Sequence, residues 1–245
     1  SPKDSEKARR ALTHLLPTIV RLDMRDLLTS LRATPLAHGI PGDGMAVKAA
    51  AALPREQAEY YLELLFKPGW DVNTALSNTE PPVLSVALHD ISLTRWLLEN
   101  GADPNAPNAG CDIDYTPLSV AVNTSTIPIV ELLLQHSQHS HNGHLVYHAT
   151  QRADLDEAIK MIKLLHDYNK PIDDVLYQDL KSYRLRAPFP RGTPLCYACE
   201  DDKVHIALTL LELGADPDKP CLRYDQSVGP SPRQVAIDHG WTLGP

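Results

Sequence analysis

The sequence predicts an all-α protein, a helical solenoid built from short repeats. Segments 82–88, 116–122 and 193–199 resemble one another, and each is followed by a leucine-rich stretch with helical spacing. Proline accounts for 21 of the 245 residues. Because proline breaks helix interiors, such a chain should consist of many short elements joined by turns. Repeated pairs of short helices that stack on their neighbours form a solenoid.

The chain begins with two further predicted helices. Apolar residues at helical spacing run from Leu12 to Ile19 and again from Met24 to Leu31, and Asp23 is a candidate N-cap of the second helix. Terminal repeats carry a face that no neighbour covers. We therefore expect residues 1–43 to form an N-terminal helical cap or a degenerate repeat.

Each repeat carries local signals for where its helices begin and end. Thr116 and Thr193 stand directly before a proline, which suits an N-cap followed by the first helical position. Gly101 and Gly214 follow the second helices and can end them with a positive φ. Five repeats are expected, and a sixth begins at Ser231; the five start near residues 44, 82, 116, 144 and 193.

This unit resembles the ankyrin repeat, whose consensus combines T-P-L-H-x-A-A with a leucine-rich second helix and a G-A-D-x-N turn. The matching segments are TPLSVAV at 116–122 and TPLCYAC at 193–199, with GADPN and GADPD at 101–105 and 214–218. The resemblance implies an ankyrin-repeat solenoid over residues 44–245. Repeat starts are 28 to 49 residues apart, against about 33 in regular arrays, and the longest interval carries an insertion at 170–192.

The resemblance also implies binding of a partner protein or peptide through the concave face and the turn loops. In that family the positions just after the alanine pair often contact partners, and here these are His89, Asp90, Asn123, Thr124, Gln151, Arg152, Glu200 and Asp201. A turn loop adds Tyr115. The insertion mixes basic and aromatic residues, a composition that suits contact with an acidic or phosphate-bearing partner, and contributes Tyr183, Arg184, Arg186 and Arg191.

Charge and hydropathy argue against several classes of partner. The net charge of −8 lacks the basic footprint of nonspecific nucleic-acid binding. No run of 18 apolar residues is present, so no membrane span is expected. The first ten residues lack an apolar signal core, which favours the cytoplasm or nucleus, where the four cysteines would be reduced thiols. We expect a monomer.

Catalytic and cofactor signatures are missing from the sequence. It contains no phosphate-binding loop, dinucleotide fingerprint, nucleophile elbow or zinc-protease motif. One polar segment is rich in histidine and is expected to be a solvated loop; it contains His136, His139, His141, His144 and His148. Cys196 and Cys199 fall inside a predicted helix, where thiols pack as small apolar groups. We expect no cofactor, no metal and no catalytic residue.

These features favour a protein-interaction module over an enzyme. Two alternatives stay open. The chain could be an enzyme or small-molecule binder that uses a pocket formed by the His-rich segment and the 170–192 insertion. It could also be a regulatory repeat domain of a larger enzyme.

Overall fold

The computed structural model describes residues 2–34, 44–66, 71–77, 80–106, 115–137, 143–176, 191–222 and 228–243. The chain divides into two compact units, unit 1 (1–111) and unit 2 (112–245). The predicted all-α class is confirmed, since the described residues contain helices and only isolated β-bridges. The expected boundary at residue 43, between a cap and the repeats, stays a prediction.

Unit 1 contains five α-helices in its described part: α1 (Pro2–Arg21), α2 (Arg25–Arg32), α3 (Gly44–Ala51), α4 (Arg55–Phe66) and α5 (Ile91–Glu99). Helix α1 packs on α2 and α3, and α4 packs on α5. Asp23 does not cap α2, contrary to the prediction, because Met24 occupies the N-cap position; Asp23 precedes it with a φ of +52°. Its carboxylate instead accepts hydrogen bonds from Arg25 Nε and from the hydroxyl of buried Tyr61, both at 2.8 Å.

The second repeat departs from the predicted helix at its start. Residues Val83–Val86 form a single 3₁₀ turn. In this repeat Gly101 lies 19 positions after Pro82, whereas in the fifth repeat Gly214 lies 21 positions after Thr193. The shorter span leaves less room before α5, which begins directly after its N-cap Asp90.

Unit 2 contains seven α-helices in its described part: α6 (Pro117–Thr124), α7 (Ile127–His136), α8 (Leu145–Thr150), α9 (Leu155–Asp167), α10 (Pro194–Glu200), α11 (Val204–Glu212) and α12 (Pro232–Asp238). The first helices of successive repeats are neighbours in the order α6, α8, α10, α12, and the second helices α9 and α11 pack together. The apolar faces of both layers form the core, which includes Leu118, Leu133, Met161, Leu195 and Leu210.

The predicted helix boundaries are confirmed at the regular repeats. The hydroxyls of Thr116 and Thr193 accept hydrogen bonds from the backbone N–H three residues on, and the prolines that follow occupy the first turn. Gly101 and Gly214 have φ of +88° and +94°. These N-caps and glycines determine where each helix begins and ends, independently of contacts between repeats.

The cysteines differ from the prediction of four reduced thiols. Cys196 on α10 and Cys221, in the loop after α11, form a disulfide with their Cα atoms 7.0 Å apart. Cys199 is buried and free, as expected for a core thiol, and burial raises its pKa to about 12. The expectation of reduced thiols was wrong for this pair. The two cysteines are 25 residues apart, in different elements of the fifth repeat, so only the folded chain brings them together.

Candidate protein-interaction surface

Four aromatic rings lie side by side across three successive repeats of unit 2. Tyr115 contacts His148 at 5.4 Å between ring centroids, His148 contacts Tyr147 at 5.4 Å, and Tyr147 contacts Tyr197 at 5.1 Å. We call these four residues the aromatic row. Each is half-buried, so part of its surface faces outward. The row lies on the layer of first helices, where the resemblance to ankyrin repeats predicted partner contacts.

The positions of these rings follow from the repeat pattern. Tyr115 directly precedes the N-cap Thr116, and His148 and Tyr197 stand immediately before Ala149 and Ala198 in equivalent positions of α8 and α10. Both alanines are fully buried. Small side chains let neighbouring first helices approach closely, which brings rings from adjacent helices into contact.

A buried hydrogen-bond group joins α6 to the start of α8. The hydroxyl of Ser119 donates to the carbonyl of Gly143 at 2.7 Å, and it also lies 3.0 Å from the hydroxyl of Thr116. Both hydroxyl side chains are almost fully buried. This group fixes α8, and therefore Tyr147 and His148, relative to Tyr115.

The aromatic row is uncharged at neutral pH. Burial, together with the nearby His144, lowers the pKa of His148 to about 4. Burial also raises the pKa of the Tyr115 hydroxyl above its ordinary value. The imidazole therefore remains neutral and packs as an aromatic ring between two tyrosines.

Two cations connect the helix ends beside the row. The guanidinium of Arg152 donates to the carbonyl of Val122 at the end of α6, at 2.7 Å, and its side chain is only 10% exposed. Lys203 Nζ donates to the carbonyl of Thr150 at the end of α8, at 3.0 Å. Each cation thus satisfies a terminal carbonyl of the preceding first helix, where positive charge is favoured.

The other predicted contact positions of unit 2 lie at the C-terminal ends of the first helices. Thr124, Glu200 and Asp201 are exposed, and Asn123 and Gln151 are half-buried. Asp201 pairs with Lys203 at 2.9 Å. The structure therefore brings these positions together with the aromatic row on one layer of helices, while Arg152 is mostly covered. Contact of any of them with a partner stays a prediction.

The predicted positions of unit 1 are two adjacent residues before α5. His89 is exposed, and its Nδ1 lies 3.1 Å from the carbonyl of Val86. The carboxylate of Asp90 accepts hydrogen bonds from the backbone N–H groups of Ser92 and Leu93 at 2.7 and 3.2 Å. Asp90 is thus the N-cap of α5, a structural role that was not predicted from the sequence.

The 170–192 insertion is described only at its two ends. Tyr183, Arg184 and Arg186 lie outside the described residues. Arg191 is 7% exposed, and its backbone pairs with Leu222 through hydrogen bonds of 2.8 and 2.7 Å. A buried arginine offers little surface to an acidic partner, so its predicted contact role has no support from its position.

The His-rich segment reaches a shallow cavity beside the start of the insertion. His139 and His141 lie outside the described residues, and Nδ1 of His136 lies 2.8 Å from the Leu132 carbonyl. The cavity lining includes His144, Lys170 and Asp174, and burial lowers the pKa of Lys170. The described space admits about one water molecule.

Sequence reasoning missed three members of the aromatic row, Tyr147, His148 and Tyr197, as candidate contacts. It followed the positions after the alanine pair and took no account of the position before it. The recurrence of an aromatic residue directly before Ala149 and Ala198 was an available signal for His148 and Tyr197, but not for Tyr147. Tyr115 alone of the row was among the predicted contact residues, and His148 was noted only as a member of the His-rich segment.

Comparison with known proteins identifies the class of fold, that of helical repeat proteins, and then the kind of repeat. The chain is similar to the crystal structure of the ankyrin repeat domain of Bcl-3, described as a unique member of the IkappaB protein family. The TM-score is 0.57 at 19% identity, over 82% of each chain. An ankyrin repeat domain from Acinetobacter baumannii gives a TM-score of 0.53 at 20% identity, over 79% of this chain and 90% of that one. The ankyrin-repeat fold is thereby confirmed.

Sequence comparison agrees with this resemblance. The chain is 30% identical over 152 residues to "Ankyrin repeat protein nuc-2" of Neurospora crassa. The match covers 58% of this chain but only 12% of that much longer protein. No family model matches the chain. Among the described helices, none is both long enough and apolar enough to cross a bilayer.

Proposed function

We propose that the chain binds a partner protein or peptide through the aromatic row of unit 2 and the polar helix ends beside it. The single observation that carries the proposal is the contact of four half-buried rings across three repeats. Tyrosine is enriched among residues that dominate binding energy at protein interfaces. The stacked first helices of ankyrin repeats supply the surface on which such residues are presented.

The packing of the aromatic row supports binding with little loss of side-chain conformational entropy. Each ring contacts at least one neighbour, so its orientation is largely set before a partner arrives. Ordering a side chain on binding costs about 0.5–1.5 kcal/mol, and this cost is reduced for rings already held in place. Neutral rings also avoid desolvating a charge, so we propose that the row receives an apolar or aromatic side chain of the partner.

The exposed ends of α6 and α10 would contact the polar part of the same partner. Thr124, Glu200 and Asp201 offer hydroxyl and carboxylate oxygens, which accept hydrogen bonds. We propose that His89 and Asp90 contribute separately from unit 1. The proposal includes a monomeric chain in the cytoplasm or nucleus, without nucleic acid among its partners.

A selection from a displayed peptide library tests the proposal with a defined probe. Peptides selected on the intact chain would be measured against Tyr197→Ala and Tyr197→Phe. Truncation of a hot-spot residue costs about 2 kcal/mol or more, so affinity should fall by at least about tenfold for the alanine variant. The phenylalanine variant keeps the ring and should retain most of the affinity.

Leu208→Ala provides the matched control, because Leu208 is a 41% exposed apolar side chain on the second helix α11. Its loss should leave peptide affinity unchanged. Thermal denaturation would establish that all three variants remain folded. Equal affinity of the wild-type chain and Tyr197→Ala for every selected peptide would reject the aromatic row as the binding surface.

A further inference from the structure

Three potential metal ligands converge at the fifth repeat. Cys196 and Glu200 are four residues apart on α10 and therefore lie on one face of the helix. Cys221 approaches from the loop after α11. One donor atom from each of the three lies within 4.8 Å of the other two. The aromatic row uses none of these side chains.

The backbone holds Cys221 in place independently of the disulfide. Its N–H donates to the carbonyl of Pro230 at 3.1 Å, and its carbonyl accepts from Gly229 at 2.8 Å. The next residue, Leu222, exchanges two hydrogen bonds with Arg191. Because these bonds do not depend on the sulfurs, reduction of the disulfide should leave both thiols facing each other.

Gly192 provides the space that the two sulfurs occupy. A Cβ atom at this position would lie 2.8 Å from Cβ of Cys196 and 3.0 Å from Sγ of Cys221. The Cα atoms of the two cysteines are 7.0 Å apart, a wide separation for bonded cysteines. This wide spacing of the two Cα atoms favours separation of the released sulfurs around a cation.

The carboxylate of Glu200 lies at the distance expected for a third ligand. Its Oε1 is 3.9 Å from Sγ of Cys196. A disulfide sulfur carries no proton, so this contact is not a hydrogen bond in the oxidised state. Zinc–ligand distances of about 2.3 Å to sulfur and about 2.1 Å to oxygen in a tetrahedral site place the two donors about 3.5 Å apart.

We propose that the reduced chain binds one thiophilic divalent cation of the zinc type through Cys196 Sγ, Cys221 Sγ and a Glu200 carboxylate oxygen. A thiol or phosphine reductant supplies the two electrons that break the S–S bond, two protons from solvent or the reductant complete the thiols, and the reductant is oxidised. Binding then releases both thiol protons to solvent, and one water completes four-coordination. Disulfide and metal site exclude each other, so the site forms only under reducing conditions.

Zinc titration of the full-length chain, reduced with a phosphine and in competition with a chromophoric chelator, tests this proposal. We expect one equivalent to bind. Loss of even an outer-shell partner weakens metal binding by roughly 10- to 100-fold, so replacing either cysteine by serine should weaken binding by about 100-fold or more, and Glu200→Gln by about 10-fold or more. Cys199→Ala is the matched control. It removes the buried third cysteine of the same segment and should leave affinity unchanged.

A second measurement keeps the test decisive if a cysteine variant unfolds. Cobalt(II) replacing zinc should give a thiolate-to-metal charge-transfer band in the reduced wild-type chain and in Cys199→Ala. The oxidised chain should show none. Glu200 is exposed, so Glu200→Gln should fold and yield a band at higher cobalt concentration. Absence of stoichiometric zinc binding by the reduced chain, or equal affinity of the oxidised chain, would overturn the proposal.

Discussion

Replacing Gly143 with alanine should destabilise unit 2 by about 2–5 kcal/mol. Gly143 has φ of +97°, and an L-residue in the left-handed region costs about 1–2 kcal/mol. A methyl group there would also overlap Ser119 Oγ and lie 2.9 Å from Thr116 Oγ1. Moving the buried Ser119 hydroxyl breaks its bond to the Gly143 carbonyl, and an unsatisfied buried polar group costs about 1–3 kcal/mol.

Gly214→Ala separates the two contributions. Gly214 belongs to the same unit and has a similar φ of +94°, but no atom lies within 4 Å of the position its Cβ would take. The free energy of unfolding of this variant should therefore fall only by the backbone contribution of about 1–2 kcal/mol. Adding Ser119→Ala to Gly143→Ala should recover part of the loss, because it removes the overlapping oxygen.

Urea denaturation monitored by circular dichroism gives the free energy of unfolding for each variant. Equal destabilisation by Gly143→Ala and Gly214→Ala would refute the packing argument and leave backbone conformation as the only cause. A Ser119→Ala/Gly143→Ala double variant whose losses simply add would refute the proposed overlap, since independent sites are additive and contacting sites are not.

The remaining predictions concern titration and capping. His148 has a folded-state pKa of about 4, below its unfolded value of about 6.5, so the unfolded chain binds the extra proton. The contribution of neutral His148 to the free energy of unfolding is therefore present above about pH 6.5, and the free energy of unfolding should fall by about 2 kcal/mol between pH 7.5 and 5. Urea unfolding of His148→Phe should lack this part of the pH dependence. An unchanged dependence of the free energy of unfolding on pH in this variant would contradict the assignment. Asp90→Ala should lower the free energy of unfolding by about 1 kcal/mol because it removes the N-cap of α5. Asp90→Asn should keep most of this stabilisation. Thermal melting of the two variants checks this, and equal melting temperatures would contradict the capping role.

Features that depend on adjacent residues could be predicted from the sequence. Thr116 and Thr193 cap their helices, and Gly101 and Gly214 end theirs, because each effect acts within a few residues. The 3₁₀ turn at Val83–Val86 escaped prediction, since its length is set by the space left before α5 rather than by its own apolar pattern.

Features that depend on contacts between separate elements could not be predicted in the same way. The Cys196–Cys221 disulfide joins a helix to a distant loop, and the aromatic row forms only when three first helices stack. Asp23 was expected to cap α2, but its carboxylate accepts hydrogen bonds from nearby Arg25 and from Tyr61 on α4 instead. Each of these features includes at least one partner that lies far along the chain or on another element, where local patterns carry no information.

Photo-crosslinking most directly tests whether the aromatic row is the binding surface. A photoreactive phenylalanine analogue would replace Tyr197 in the full chain and, in a separate protein, Leu208 on α11. After irradiation in cells that express the chain, we expect a discrete crosslinked partner from position 197 and none from position 208. Crosslinking to the same partner from position 208, with none from position 197, would contradict the proposed surface.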